Sequence, residues 1–319
     1  MATKVLKVGG FFPSVAEDLA QHFDVVEAAD KEAFAAMSAD DLRDIEGFAS
    51  FGWAPADALD RMPNLKIVSS FGVGYDGVAA DHAAEKGVVV THTPNVLNDD
   101  VANLAIALAL MTDRRLVWND TYVRAGRWDK EGNTPLTKSI RGKRVGIVGL
   151  GRIGEAIAEK LSVFKCETVY HSRNEKPGVP YRYYGDLEAM ARDCDMLIVI
   201  TPGGPATDKL INRTIMEALG PEGTLINIAR GSVVDEAEMV LALQEGRLGA
   251  AGLDVFEQEP KVPDALYSMD NVVLTPHVAS ATWETRQDMS NLVVQNLIDF
   301  FATGKPVSPV PETAHLVKG

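Results

Sequence analysis

Short apolar runs bounded by turns alternate with helical patterns along almost the whole chain. Residues 65–70 and 88–91, for example, are strand-like and flank a helical stretch at 76–86. This alternation is typical of βα units, in which parallel strands form a sheet and the helices cover its faces. The sequence therefore predicts an α/β fold.

The alternation forms two series, which predicts two domains. The first series ends near residue 91, one long helix is predicted at 99–124, and the second series begins at 143. A chain of 319 residues is long enough for two ordinary domains. We predict two doubly wound parallel-sheet domains separated by a cleft, one from residues 1–97 and 287–319 and the other from 98–286. A last helix at 282–302 is expected to return to the first domain.

Composition excludes several classes of partner. The net charge of −14 would repel a nucleic-acid backbone or an anionic membrane at long range. The longest apolar run, 104–111, is too short to cross a bilayer, and the N-terminus does not resemble a signal peptide. Cys166 and Cys194 are too few for a disulfide framework and are expected to fill the core. We predict a cytoplasmic protein with no nucleic-acid or membrane partner and no bound metal.

A glycine-rich turn at 149–154 predicts a dinucleotide site. Gly149, Gly151 and Gly154 fit G-x-G-x-x-G, with Arg152 and Ile153 between them, and the motif lies between a predicted strand and a predicted helix. Gly149 permits the tight turn, Gly151 lets a pyrophosphate approach the backbone, and Gly154 lets helix and strand pack closely. The N–H groups of the helix start then face the phosphates. This context indicates a Rossmann domain.

The end of the next strand favours NADPH over NADH. An NAD site usually has an acidic residue about 20 residues further on, which binds the ribose 2′-hydroxyl. Here the strand leads into Ser172 and Arg173 without an acid. Both side chains can bind a 2′-phosphate. Thr201 and Pro202, which end the following strand, are further predicted cofactor contacts.

Three later strands of the second series are each followed by a polar group. Arg230, Glu259 and His277 come after the strand-like segments 224–229, 251–255 and 272–274. Each residue alone would more often be a turn or packing residue. Together, at the carboxyl ends of parallel strands, they match the needs of 2-keto acid reduction. Arg230 would bind the substrate and polarise its carbonyl, His277 would be the general acid, and Glu259 would support the imidazole.

The sequence resembles the D-isomer-specific 2-hydroxyacid dehydrogenases over essentially its whole length. The resemblance rests on 149–154, NIARG at 227–231, GLDVFE at 252–257, Glu259-Pro260 and TPH at 275–277. It implies that the first domain is a flavodoxin-like substrate domain and that the chain forms a homodimer, since relatives commonly form two-fold dimers. It also implies roles for further residues. Predicted cofactor contacts are Ala229, Asp254 and His277, and predicted substrate contacts are the N–H groups of Val73 and Gly74, Arg230 and the side chain of Ser280.

The substrate is left open between related 2-keto acids. FGVGYD at 71–76 and HSRN at 171–174 are similar to NADPH-preferring glyoxylate/hydroxypyruvate reductases, which predicts that reaction. A hydroxyphenylpyruvate reductase is the alternative, and the choice depends on pocket side chains such as Phe51, Trp53, Phe71 and Trp283. An alternative of another class is a dinucleotide-sensing corepressor, against which the short termini argue.

Overall fold

The computed structural model describes residues 2–317, and their secondary structure follows the predicted alternation. The strands are β1 (Lys4–Val8), β2 (Asp24–Ala28), β3 (Ile45–Ser50), β4 (Ile67–Ser70), β5 (Val89–Thr91), β6 (Arg144–Val148), β7 (Glu167–His171), β8 (Arg182–Tyr183), β9 (Met196–Val199), β10 (Thr224–Asn227), β11 (Ala250–Leu253) and β12 (Val272–Leu274). The helices are α1 (Pro13–Ala20), α2 (Lys31–Ala36), α3 (Ala39–Arg43), α4 (Ala56–Asp60), α5 (Ala80–Glu85), α6 (Asn98–Asp113), α7 (Leu116–Arg124), α8 (Arg127–Glu131), α9 (Arg152–Val163), α10 (Leu187–Asp193), α11 (Arg213–Leu219), α12 (Glu236–Gln244) and α13 (Trp283–Thr303). Short 3-10 turns lie at Gly231–Val233, Asp264–Ser268 and Ala314–Leu316.

The described residues divide into two compact units. The first unit comprises 2–97 and 280–317, and the second unit comprises 98–279. The sequence placed the later boundary at 286, whereas the structure assigns 280–286 to the first unit. These residues lead into α13, which packs against α1, β3 and β4 of the first unit.

The first unit is built on a five-stranded sheet of order β2-β1-β3-β4-β5. All of its strand pairs are parallel, and the order is that of a doubly wound flavodoxin-like domain. Leu6, Phe48 and Val68 lie fully buried in its core. Beyond β5, Val310 and Thr313 hydrogen-bond the backbone of Val90, so the C-terminal segment covers this sheet edge.

The second unit is built on a seven-stranded parallel sheet of order β12-β11-β10-β9-β6-β7-β8. The chain direction across the sheet reverses between β6 and β9, which is the topological switch point where ligands bind in this fold. Both predictions of fold class, a Rossmann domain and a second parallel-sheet domain, are confirmed.

The prediction of one continuous helix over 99–124 is wrong. It is broken between α6 and α7, where Arg115 adopts a left-handed conformation with φ 47°. The break follows Asp113, whose buried carboxylate binds Lys143 at 2.7 Å and Thr224 at 2.9 Å. These bonds fix the end of α6 in the core, so the chain turns there although its helical pattern continues. The further short helix α8 follows α7.

Strands β2 and β8 were not predicted from the sequence. Both lie at sheet edges, where one side of the strand faces solvent and charged residues are tolerated. Their sequences, DVVEA and RY, therefore lack a clear apolar run. Of the two cysteines, Cys194 is buried as predicted, while Cys166 is only half-buried.

Candidate active site

The glycine turn after β6 has the geometry of a phosphate-binding cradle. Gly149 has φ +103°, which side chains rarely adopt, and a Cβ on Gly154 would lie 2.3 Å from the Gly149 carbonyl oxygen. A Cβ on Gly151, in contrast, would meet nothing within 4 Å. Gly149 and Gly154 are thus required by the fold, whereas the space beside Gly151 is open for a ligand. No side chain caps the start of α9, so its first N–H groups can bind an anion. These residues fit a dinucleotide.

The loop after β7 contains Ser172 and Arg173, the two residues predicted to bind a 2′-phosphate. Arg173 is exposed and, among residues 2–317, forms no ion pair with a carboxylate. The Ser172 hydroxyl donates to the Asn174 carbonyl at 2.6 Å, and the Ser172 carbonyl accepts from the Tyr183 hydroxyl at 3.1 Å. The only acid of β7, Glu167, lies at the opposite end of the strand. Thr201 and Pro202 lie two and three residues past the end of β9.

Three adjacent strands of the second unit carry the predicted catalytic residues. Arg230, Glu259 and His277 follow β10, β11 and β12, which are neighbours in the sheet. Because parallel strands end at the same edge, the three loops meet there. The structure therefore brings these residues together within one unit.

His277 and Glu259 form a hydrogen-bonded pair. The distance from His277 Nδ1 to Glu259 Oε2 is 2.8 Å, and Glu259 Oε1 accepts the Phe256 N–H at 3.1 Å. Burial would raise the pKa of Glu259, but the His277 bond and charge, the Phe256 N–H and the Arg230 charge together lower this pKa. An ionised carboxylate can only accept, so His277 Nδ1 carries the proton and Nε2 is left for chemistry.

The Arg230 turn packs directly on the segment that leads to Glu259. A Cβ on Gly231 would lie 1.9 Å from the Phe256 carbonyl carbon, so only glycine allows this approach. The Asn227 amide donates to the Arg230 carbonyl at 3.0 Å, and the Arg230 guanidinium donates to the Ala229 carbonyl at 2.8 Å. Backbone and side chain of Arg230 are therefore both oriented.

Asp254 has a structural role that the sequence did not reveal. It is fully buried, and its carboxylate accepts from the Thr275 hydroxyl at 2.6 Å and from the N–H groups of Val278 and Ala279 at 2.9 and 3.0 Å. These bonds hold the loop that carries His277, whose φ of 52° lies in the left-handed region. A residue in that region persists where its surroundings fix it, as at many functional sites. A contact of Asp254 with a cofactor stays a prediction.

Of the predicted substrate residues, Val73, Gly74 and Ser280 lie in the first unit and Arg230 lies in the second unit. Val73 and Gly74 are half-buried in the loop between β4 and α5, and Ser280 is half-buried in the segment before α13. Phe71, in the same loop, stacks on Phe51 with ring centroids 4.6 Å apart. The other two side chains considered for specificity pack elsewhere, Trp53 on Phe34 and Trp283 on Phe12.

Two other kinds of site are absent from residues 2–317. None of the helices there is both long and apolar enough to cross a membrane. The same residues contain no group of three or more His, Cys, Asp or Glu side chains placed to hold a metal ion.

The comparison with known proteins identifies the class. The family model described as "D-isomer specific 2-hydroxyacid dehydrogenase, NAD binding domain" matches residues 106–279. The chain therefore belongs to the D-isomer-specific 2-hydroxyacid dehydrogenases, which are NAD(P)-dependent oxidoreductases.

Three individual relatives are similar to this chain over most of their length. A hydroxyphenylpyruvate reductase of Plectranthus scutellarioides is 53% identical over 274 residues, covering 86% of this chain and 87% of that protein. A glyoxylate/hydroxypyruvate reductase A of Arabidopsis thaliana is 50% identical over 269 residues, covering 84% and 85%. The crystal structure of an NADPH-dependent glyoxylate/hydroxypyruvate reductase from Sinorhizobium meliloti, in complex with NADP and malonate, superposes with a TM-score of 0.94. It is 48% identical, and the match covers 98% of each chain.

Proposed function

We propose that this dehydrogenase uses NADPH to reduce a small 2-keto acid, glyoxylate or hydroxypyruvate, to the D-2-hydroxy acid. The observation that carries the proposal is the His277–Glu259 pair at 2.8 Å beside Arg230, at one edge of a dinucleotide-binding sheet. The names of the Arabidopsis and Sinorhizobium relatives support this substrate class.

In this mechanism the residues of the second unit bind the substrate and move one proton. The bound dinucleotide supplies the hydride that reduces the carbonyl carbon. Arg230 binds the substrate and polarises its carbonyl through a rigid fork of donors. His277 Nε2 gives its proton to the carbonyl oxygen, and Glu259 stabilises the imidazolium before that transfer. In the reverse direction Nε2 takes the proton back.

We assign the dinucleotide to the second unit and the substrate carboxylate to the first unit, while Arg230 of the second unit also binds the substrate. The glycine turn, Ser172 and Arg173 would hold the dinucleotide, with Thr201, Pro202 and Ala229 as further contacts. The N–H groups of Val73 and Gly74 would hold the substrate carboxylate as an anion nest, and Ser280 would be a further substrate contact. A two-fold homodimer through the region of α7 and α8 is supported by the exposed side chains of Val123 and Trp128.

The experiment is a steady-state assay of purified protein with NADPH and a panel of glyoxylate, hydroxypyruvate, pyruvate and hydroxyphenylpyruvate. We expect the reduced-nicotinamide absorbance to fall fastest with glyoxylate or hydroxypyruvate. A flat signal with every keto acid would contradict the proposal. Faster turnover of hydroxyphenylpyruvate would support the second candidate, which the 53% identical Plectranthus reductase favours.

The preference for NADPH has its own test in Arg173→Ala. A charge-assisted bond to the 2′-phosphate contributes about 1.5–3 kcal/mol, so kcat/KM with NADPH should fall roughly 10- to 100-fold, while the value with NADH stays. The matched control is Arg182→Ala, an arginine of the neighbouring strand β8, which should leave the NADPH/NADH ratio unchanged. An unaltered ratio in Arg173→Ala would contradict the assignment.

A further inference from the structure

The loop that follows β4 presents two backbone donors with no internal partner. Within residues 2–317, the N–H groups of Val73 and Gly74 donate to neither a carbonyl nor a side chain. Both residues are only half-buried, so these groups are accessible. They are the pair to which the proposed function assigns the substrate carboxylate, and the inference below rests on that proposal.

The direction of each N–H is set by the carbonyl of the same peptide unit. In a planar trans peptide the C=O and the following N–H point in opposite directions. The Gly72 carbonyl accepts from the Thr93 N–H at 2.9 Å, which turns the Val73 N–H away from Thr93. The Val73 carbonyl accepts from His92 Nδ1 at 2.9 Å, which turns the Gly74 N–H away from His92. Since a carbonyl can only accept, His92 Nδ1 carries the proton.

The carbonyls of Gly72 and Val73 are held by different kinds of donor. Thr93 holds the loop with its backbone N–H, and its hydroxyl accepts from the Gly72 N–H at 2.9 Å. The Val73 carbonyl, in contrast, is held by a side chain. The direction of the Gly74 N–H therefore depends on His92.

His92 itself is held in place from several sides. Its backbone N–H donates to the Ser308 carbonyl at 3.2 Å, and the Ser308 hydroxyl donates to the His92 carbonyl at 2.6 Å. Ser308 is in turn bound by the fully buried Asn296 of α13, 3.0 Å from its N–H. The ring of Tyr75 packs edge-on against the imidazole at 5.3 Å, and the Tyr75 hydroxyl donates to Glu312. These contacts restrict the imidazole to the position that meets the Val73 carbonyl.

We propose that His92 is a positioning residue for substrate binding: by holding the Val73 carbonyl, it aims the Gly74 N–H at the carboxylate of the 2-keto acid. It touches neither the substrate nor the reacting atoms. Its removal should weaken carboxylate binding and leave the chemical step intact.

The first test separates KM from kcat. In His92→Leu, which keeps the bulk and removes the donor, we expect KM for the keto acid to rise on the order of tenfold, as for one misdirected bond to a charged group. Turnover at saturating substrate and KM for NADPH should change less than about twofold, since neither depends on this bond. His82→Leu is the matched control, because His82 lies in the same unit but pairs with Asp60 at 2.9 Å. A fall in kcat at unchanged KM would overturn the proposal.

A second pair of variants, His92→Asn and His92→Asp, keeps the proposal testable if His92→Leu does not fold. His92→Asn places an amide donor near the position of Nδ1 and should restore KM to within about threefold of the wild type. His92→Asp has the same shape without a donor, and its KM should rise at least as much as that of His92→Leu. Equal KM values in the asparagine and aspartate variants would overturn the proposal, whether or not His92→Leu folds.

Oxamate binding gives a readout that needs no turnover. Calorimetric titration of the NADPH-loaded protein with oxamate, a carboxylate of the size of pyruvate, should show about tenfold weaker binding in His92→Leu. If the wild type reduces no keto acid but His92→Leu weakens oxamate binding, the proposed function fails and the role of His92 stands. If the wild type is active but oxamate binds both proteins equally, the role of His92 fails alone. A wild type that binds no oxamate would overturn both.

Discussion

The two sheet edges that carry the proposed site are built in opposite ways. In the second unit the functional groups are side chains, and the backbone with a buried carboxylate holds them: His277 lies on a loop fixed by Asp254. In the first unit the groups proposed to hold the substrate carboxylate are backbone N–H groups, and a side chain behind them holds their loop: Val73 is fixed by His92. A substitution of His277 therefore deletes a chemical group, whereas a substitution of His92 can only misdirect one.

This difference predicts that the two edges control different kinetic constants. A proton donor stabilises the transition state but not the bound substrate, so its deletion should lower kcat. A misdirected amide weakens the hold on a carboxylate that is bound equally in the ground and transition states, so it should raise KM. The predictions below test this separation on the side of the second unit.

The largest effect is expected for His277→Ala. Loss of one acid–base group should lower kcat on the order of 10²- to 10⁴-fold while oxamate binding and NADPH binding stay near the wild-type values. Stopped-flow single turnovers with saturating substrate, together with the oxamate titration, measure both quantities. Near-normal turnover would remove His277 from the mechanism. If His277→Ala also lost oxamate binding, it would no longer differ from His92→Leu in the constant that it changes.

A smaller effect is expected for Arg230→Lys, and it should fall on both constants. Arg230 is assigned to binding and to polarisation, and a point-charge ammonium cannot reproduce the fork of the guanidinium. With about 1.5–3 kcal/mol lost per charged hydrogen bond, kcat/KM should fall roughly 10- to 100-fold. Steady-state kinetics with the preferred keto acid measure how much of the loss falls on kcat and how much on KM. Arg247→Lys, at a half-buried arginine that pairs with Glu245 and Glu217, is the control that should show no change in kcat or KM. A change confined to KM would limit Arg230 to binding.

The sequence was sufficient to find the side chains of the second unit. Arg230, Glu259 and His277 each follow an apolar run, and the doubly wound order places the last strands of the chain side by side. Their convergence then follows from the sheet. Their catalytic roles stay predictions, as do the contacts proposed for Ser172 and Arg173.

The supporting residues could not be found in the same way. Asp254 and His92 act through hydrogen bonds to backbone groups 19 to 25 residues away, and such contacts depend on how the loops fold. A signal was nevertheless present for His92, since it is a polar residue directly after a strand, and His277 also follows a strand, three residues past its end. The break at Arg115 had no such signal, because it results from the burial of the Asp113 carboxylate against Lys143 and Thr224.

The smallest effect is expected for Glu259→Gln, and the quantity measured is the free energy of unfolding as a function of pH. The pKa of Glu259 in the folded chain lies below its ordinary value of 4.5, so the ionised carboxylate stabilises the fold above that pH. This stabilisation is lost as the pH falls from 4.5 through the lowered pKa. The side chain is one-third exposed, at 33%, so solvent screens the pair and the difference should be at most about 1 kcal/mol.

Urea unfolding of the wild type and of Glu259→Gln at pH 7, 5 and 4 checks the direction of this pH dependence. The wild type should be the more stable at pH 7, and the difference should shrink as the pH falls below the ordinary value of 4.5. Glu222→Gln is the control, because its carboxylate pairs with Lys138 on the open surface and its contribution should vanish in high salt. A difference that grows as the pH falls from 5 to 4 would mean that Glu259 takes up its proton at a higher pH in the folded chain than in the unfolded chain. Glu259 could then not hold His277 as a proton donor, and the contrast between the two edges would lose its basis.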